Sequence, residues 1–289
     1  MVTKSLLRVN SAVGWHAERR VCEGPARCPI ELLIRKLESI GTLSPAERDA
    51  LRGLETSRLH VNAHHDVFRE GDRPSAITLV LHGLLCRYKI VADGKRQIMS
   101  FHIPGDLPDL PSLVIPILDH SLCSLVASEL ALIPRVALRN LLAEQPQLAS
   151  LFWRDTLVDA AIFREWMVGI GRRSAFTRIA HLFCEMIARM RAVGLSSEHT
   201  VELPLTQTDI ADALGLSTVH VNRTLQELRG AGLIKYSRGM LVAIDWPGLR
   251  SAGDFEQNYL HEQSGGGKID QLLSSPGSSR SSARIGSSK

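Results

Sequence analysis

Residues 205–244 read LTQTDIADALGLSTVHVNRTLQELRGAGLIKYSRGMLVAI, and this stretch decides the fold. Thr206-Gln207-Thr208-Asp209 has the form of a capping box, with a hydroxyl at the cap and a carboxylate three residues later. The spacing predicts a helix from there to Leu214. Gly215 follows, where a tight turn between two helices needs a residue tolerant of positive φ. Ser217 caps a second, longer helix that runs to about Arg229, and Gly230-Ala231-Gly232 ends it. Ala211 is small, as required where two crossing helices approach closely. Leu233-Ile234-Lys235-Tyr236 and Leu241-Val242-Ala243-Ile244 then flank Ser237-Arg238-Gly239, a hairpin with a basic tip.

A short helix, a glycine turn and a longer helix form the motif that sets its second helix in a DNA major groove. At 100° per residue, Val221, Leu225 and Leu228 fall within about 60° of one another and form the buried stripe. Val219, Arg223 and Gln226 point nearly opposite, with Asn222 on the flank. Recognition helices meet bases mainly through their N-terminal residues, so the candidates for base contact are Thr218, Val219, Asn222 and Arg223. Arginine pairs bidentately with guanine, asparagine with adenine, and valine touches a thymine methyl. Thr206, Gln207, Thr208, Ser217 and His220 are placed for phosphate, as are Lys235 and Arg238 on the hairpin.

N-terminal to this motif, Ser174 caps a helix in which Ile179, Leu182, Phe183, Met186, Ile187 and Met190 form one apolar stripe. Between Gln145 and Val168 a long helix is apolar over a wide arc, through Leu148, Leu151, Phe152, Leu157, Val158, Ala161, Ile162, Phe163, Trp166 and Met167. A helix of that kind covers more than one surface, one on its own chain and one on a second subunit. Gly169-Ile170-Gly171 is expected to interrupt it as a hinge. Further upstream, from about Arg58 to Pro134, the pattern is that of strands. Ile77, Leu79 and Leu81 alternate with Thr78, Val80 and His82, and Asp93-Gly94 joins the strand around Cys86–Ile90 to a returning strand at Gln97–Phe101. Short strands with turns about every ten residues predict a small sandwich or barrel. Ser44-Pro45-Ala46-Glu47 is another capping box, preceded by a short helix ending near Ile40.

The net charge of +4 is compatible with a polyanionic partner, and most of the surplus falls in residues 172–250. Cys22, Cys28, Cys86, Cys123 and Cys184 are odd in number and irregular in spacing, which argues against a disulfide framework and fits a reducing compartment. No apolar run is long enough to span a bilayer and no secretory h-region is present, so the expected location is the cytoplasm. P-loop, G-x-S-x-G, H-E-x-x-H and dinucleotide patterns are all missing, and no enzyme is expected. His60, His64 and His65, with only Asp66 nearby as a further ligand, read as solvent-facing rather than metal-binding. The competing functional class is a small-molecule- or redox-sensing signalling protein whose winged helix mediates protein contacts.

With these parts in order, the chain resembles the Crp/Fnr family of bacterial transcription regulators. The likeness rests on the helix-turn-helix and on EGDRPSAITLVLHGLLCRYKI and FHIPGDL, and spans roughly residues 30–246. It implies an α+β architecture: a jelly-roll β-barrel resembling the cyclic-nucleotide-binding fold over 29–144, a dimerisation helix and hinge over 145–171 and a winged helix-turn-helix over 172–250; the flanks, 1–28 without sustained periodicity and 251–289 with its Ser- and Gly-rich end, are expected to be disordered. It implies double-stranded DNA, a second copy and RNA polymerase as partners, with no membrane association. The family's recognition-helix positions fall on Ser217, Thr218, Val219, His220, Asn222 and Arg223. The arginine is kept, while many members carry glutamate where this chain has Val219. In the barrel, the family's ribose- and phosphate-binding residues correspond to Gly105, Asp106, Leu107, His120 and Ser121, a degenerate pocket. Loss of the arginine removes the guanidinium fork that suits a cyclic phosphate. Iron–sulfur members need four thiolates. Cys22 and Cys28 supply two, Cys123 lies early, and Ala131 stands where the family places its barrel cysteine. Neither a cyclic nucleotide nor an iron–sulfur cluster is expected as cofactor. A redox role for Cys22 or Cys28 stays open.

Overall fold

The computed structural model describes residues 19–20 and 28–262. In chain order its elements are β1 (Arg19–Arg20), α1 (Glu31–Ile40), α2 (Pro45–Arg52), β2 (Thr56–Val61), β3 (Asp66–Phe68), β4 (Ala76–His82), β5 (Leu85–Ile90), β6 (Arg96–His102), β7 (Ser121–Ser124), β8 (Ser128–Pro134), α3 (Arg135–Glu144), α4 (Pro146–Arg172), α5 (Ala175–Ala192), β9 (Thr200–Glu202), α6 (Gln207–Leu214), α7 (Thr218–Gly230), β10 (Ile234–Ser237), β11 (Met240–Ala243) and α8 (Trp246–Ala252).

Strands β1–β8 form two four-stranded sheets, ordered β1-β2-β8-β4 and β3-β7-β5-β6. Leu59, Val67, Val80, Leu85, Leu122 and Leu130 fill the space between them. The predicted hairpin is present, with Ile90 opposite Arg96 and Cys86 opposite Phe101. The alternation read in β4 does not mark an inside and an outside, because Ile77, Thr78, Leu79 and Val80 are all buried. A strand covered on both faces loses the polar side that an exposed sheet retains.

The second, larger core joins the outer faces of the barrel to the helices. Cys86, Ile98, Phe101 and Cys123 share it with Phe152, Trp166, Phe183, Ile210 and Leu214. Phe101 meets Trp166 edge to face, with ring centroids 5.5 Å apart. The capping box of α2 forms as read, Ser44 and Glu47 satisfying each other's backbone N–H groups.

Helix α4 runs without a break for 27 residues, through Gly169 and Gly171. The expected hinge at these glycines is therefore incorrect. Each glycine in a helix interior costs about 1 kcal/mol relative to alanine, which neighbouring packing outweighs. The chain leaves helical geometry at Arg173 (φ −87°, ψ 150°), and Ser174 caps α5 through the Thr177 N–H. Gly169 is buried against the protein rather than free to flex.

The stripe predicted in α5 is buried, but so is nearly the whole circumference from Ile179 to Met190, including His181, Glu185 and Arg189. The sequence carries no local signal for β9, which pairs with β11 and makes the hairpin β10–β11 a three-stranded sheet. Two expectations of disorder also fail in part. Arg19 and Arg20 pair with β2, and Phe255 and Leu260, beyond α8, are buried against the core. Residues 1–18, 21–27 and 263–289 of the two predicted disordered segments lie outside the described residues. Cys28 is disulfide-bonded, which departs from the reading of all five cysteines as reduced. Cys22 lies outside the described residues. Cys86, Cys123 and Cys184 are free thiols buried in the core. No described helix is long and apolar enough to cross a membrane.

Candidate nucleic-acid interface

The interface is built on α6 and α7. Thr206 accepts from the Asp209 N–H, while the Asp209 carboxylate accepts from the Thr206 N–H at 3.0 Å and its hydroxyl at 2.6 Å. Gly215 takes the left-handed conformation (φ 63°, ψ 41°) that turns the chain between the helices. Ser217 accepts from the His220 N–H and caps α7. Val221, Thr224, Leu225 and Leu228 are buried beneath.

All four base-contact candidates emerge on the outer face. Thr218, Val219, Asn222 and Arg223 are exposed, and Val219, an apolar residue with 79% of its surface in solvent, has no intramolecular reason to be there. Asn222 Nδ2 donates to Gln207 Oε1 at 3.2 Å, so the amide heads of the two helices are already paired. Arg223 lies 3.6 Å from Glu227, an exposed contact that offers little resistance to a phosphate or a guanine. Thr206, Gln207, Thr208 and Ser217 are exposed at the N-terminal ends of their helices, where N–H groups and the helix dipole favour an anion; His220 is half-buried beside them. Lys235 points outward from β10, and Arg238 occupies the tip with φ 50° ahead of Gly239 at 76°. The hairpin is a two-residue turn with both φ values positive, the twist-matched type, and its basic residue projects beyond the sheet.

The expected barrel pocket is brought together only in part. Asp106 and Leu107 line a cavity with Lys36, Arg87, His102 and Arg189, closed on one side by Asp155 and Asp159 of α4. Gly105 shapes the adjoining turn at φ 97°, where a Cβ would come within 2.9 Å of the Leu32 carbonyl. His120 and Ser121 do not line that cavity. His120 Nδ1 is bonded to Asp119 at 2.7 Å, and Ser121 accepts the Glu70 N–H at 3.1 Å.

The Asp106 carboxylate is fully engaged. Arg189 Nη2 donates to it at 2.7 Å and Lys36 Nζ sits 3.0 Å away. Burial alone raises a carboxyl, but Lys36 and Arg189 outweigh it and hold Asp106 well below the usual range. Burial drives His102 down to about 4 and lifts Asp155 to about 6. Arg189 also donates to Glu185, which accepts from Trp166 and Tyr259. Lys36, Arg87 and Arg189 come from distant parts of the chain, and no local pattern in the sequence signals their meeting. The same holds for Arg96 and Gln97. Arg96 bridges Asp209 and Asp212 of α6, and Gln97 Nε2 donates to the Ala213 carbonyl. Among the described residues no group of three or more His, Cys, Asp or Glu side chains is arranged to hold a metal ion.

Comparison with known proteins agrees with this arrangement. Residues 177–252 match the Crp-like helix-turn-helix domain model and residues 58–145 the cyclic nucleotide-binding domain model. The chain is 31% identical over 188 residues to the nitrogen fixation regulation protein FixK of Bradyrhizobium diazoefficiens, covering 65% of this chain and 78% of that one. It is 25% identical to the transcriptional activator protein anr of Pseudomonas aeruginosa over 73% of this chain and 81% of the relative. The solved structure of FixK2 from Bradyrhizobium japonicum superposes with a TM-score of 0.62 at 25% identity, covering 68% of this chain and 96% of that one.

Proposed function

Because this chain belongs to the Crp/Fnr family of DNA-binding transcription regulators, we propose that it reads a palindromic DNA site as a homodimer, with Thr218, Val219, Asn222 and Arg223 facing the bases. The observation that carries this reading is the fully exposed, capped face of α7. Its apolar Val219 is 79% exposed, its cationic Arg223 meets Glu227 in an exposed contact, and the two match a thymine methyl and a guanine edge. Thr206, Gln207, Thr208, Ser217, His220, Lys235 and Arg238 surround it as phosphate contacts. The second copy is supplied by α4. Its Trp153, Leu157, Phe163 and Met167 are 63%, 49%, 46% and 61% exposed, an apolar face left uncovered among the described residues. RNA polymerase is the partner at the promoter, a reading supported by relatives that carry the name transcriptional activator.

The barrel takes neither a cyclic nucleotide nor an iron–sulfur cluster in this reading. The carboxylate that would meet a ribose is bound by Lys36 and Arg189, and the residues that would meet the phosphate lie outside the cavity. For a cluster, Cys28 is committed to a disulfide and Ala131 is buried in β8 where a barrel cysteine would be needed.

Selection from a pool of randomised duplexes with the full-length protein tests the proposal. A two-fold-symmetric site should be enriched. Arg223→Ala should lose about 1–3 kcal/mol of discrimination per half-site while remaining a dimer. Affinity should fall steeply with salt, as expected for several phosphate contacts. Enrichment of no sequence, or unchanged operator affinity in Arg223→Ala, would refute the reading.

A further inference from the structure

The barrel and the DNA-binding motif touch through one concentrated polar contact. Arg96, the first residue of β6, sends its Nη2 to Asp209 Oδ1 and its Nε to Asp212 Oδ2, each at 2.8 Å. These carboxylates lie on successive turns of α6 and face the barrel together. Asp209 is 2% exposed while the Arg96 and Asp212 side chains are 23% and 24% exposed, so the contact is partly desolvated and more geometrically demanding than a loose surface pair. Its other oxygen, Oδ2, serves the capping box of α6. One carboxylate therefore both starts the first helix of the DNA motif and receives the barrel's arginine. Gln97, the next residue, reaches the Ala213 carbonyl at 3.3 Å near the end of the same helix. From the other side, Arg178 Nη1 of α5 donates to the Leu214 carbonyl at 2.8 Å.

None of these contacts covers the DNA-facing surface. Gln207, Thr208, Val219, Asn222 and Arg223 remain exposed while Asp209 and Asp212 are held. The contact thus fixes orientation without occluding the site. Only a short connection, Arg173–Ser174, joins α4 to α5. Without the bridge to Arg96, the position of α6 and α7 relative to the barrel would rest on the neutral Gln97 contact, on the Arg189–Asp106 pair that ties α5 to the barrel, on that connection and on apolar packing, which is less directional.

We propose that Arg96 is a positioning residue of the sensor barrel that, through Asp209 and Asp212, sets the orientation of the helix-turn-helix and hence the spacing between the two recognition helices of the dimer. Spacing is what a dimer reads beyond its half-sites, since two helices must enter grooves about one turn apart, roughly 34 Å. A fixed orientation removes the ordering cost of binding both halves at once. The barrel's state reaches the DNA through this strand as well as through α4. The inference rests on the homodimeric reading above.

The test compares duplexes carrying the selected palindrome with duplexes in which two base pairs are inserted at its centre, and with a single half-site. Wild-type protein should prefer the native spacing strongly. Arg96→Ala and Asp212→Asn should each shrink that preference at least tenfold while leaving half-site affinity within about twofold, and Arg96→Lys should retain part of it. Asp212 is used rather than Asp209 because Asp209 also caps α6. The Arg96→Ala, Asp212→Asn double variant should match the single variants, as two changes in one contact do. Retention of the wild-type preference in both single variants overturns the proposal. So does an equal loss on full and half-sites together with a lowered Tm, which would mark a merely structural role. If Arg96→Ala does not fold, Asp212→Asn decides alone. A DNA-free measurement separates failure here from failure of the DNA reading. Spin labels at Arg73→Cys on the barrel and Gln226→Cys on α7 should report one narrow intrachain distance in wild type and a broadened one after Arg96→Ala. Unchanged width would overturn the proposal even if a palindrome is selected.

Discussion

At the scale of single residues, the molecule holds several charged groups out of water, and each answers differently to pH. Asp109 is the clearest case. It is 1% exposed, accepts the Thr78 N–H at 2.7 Å and the Thr78 hydroxyl at 3.2 Å, and has no cation bonded to it. Burial pushes its carboxyl up to about 7. The folded protein therefore holds this proton more tightly than the unfolded chain, which releases it near the ordinary value of 3.8. Between those values the folded state binds more protons, so stability falls as pH rises from about 4 to about 7. Asp109→Asn keeps the acceptor for Thr78 and removes the ionisation. Relative to wild type it should gain stability on going from pH 4 to pH 8, by up to about 4 kcal/mol for a shift of this size. Chemical denaturation at a series of pH values measures it, and a wild-type-to-variant difference that does not change with pH would contradict the assignment. Asp106 titrates in the opposite sense, because Lys36 and Arg189 stabilise its charged form and that stability is lost only in strong acid. Nothing in the sequence around Asp106, Lys36 or Arg189 announces their meeting. By contrast Thr206, Asp209, Gly215 and Ser217 were legible one by one, because caps and left-handed turns are decided within four residues.

At the scale of elements, legibility follows the range of the forces that make each one. The helices of the DNA motif carry their own start and stop signals and fall where the spacing places them. Strand β9 is three residues long and exists because β11 offers it an edge, which no local pattern encodes. Helix α4 shows the reverse error, a local signal overridden. Gly169 and Gly171 argue for a break, yet Phe152, Val158, Ile162 and Trp166 pack one side of the helix firmly enough to carry it through to Arg172. This has a direct consequence for Gly171. A Cβ built there meets nothing within 4 Å, and its φ lies outside the left-handed region. Gly171→Ala should therefore stabilise the protein by about 0.5–1 kcal/mol, by lowering the entropy of the unfolded chain. Operator affinity should be unchanged. A urea melt and a binding titration check both points. A loss of DNA binding on this stiffening would restore the glycine hinge and shift the point of flexure away from Arg173–Ser174.

At the scale of the whole molecule, α4 is the element on which both halves depend. One of its faces is spent on its own chain, where Asp155 and Asp159 close the barrel cavity and Trp166 donates to Glu185 of α5 at 3.0 Å. The other face shows Trp153, Leu157, Met167 and Ile170, spaced so that they line up along the helix, and they remain in solvent. Leaving such a stripe uncovered over about five turns of helix is unfavourable, and a second α4 is the complementary surface of matching length and apolarity. Leu157 lies near the middle of α4 and is 49% exposed. Leu157→Glu would set two carboxylates near the two-fold axis, so desolvation and like-charge repulsion both act against pairing. The variant should sediment as a monomer at concentrations where wild type is a dimer, with the Arg87–Asp159 and Arg189–Asp106 contacts intact and a cooperative melt preserved. Its affinity for a palindrome should fall by at least about a hundredfold towards that of a single half-site, because the second site is no longer delivered by the first. Sedimentation velocity and a titration on full and half-sites decide the matter together. A Leu157→Glu protein that stays dimeric would place the subunit contact elsewhere, and the uncovered face of α4 would then need a different occupant.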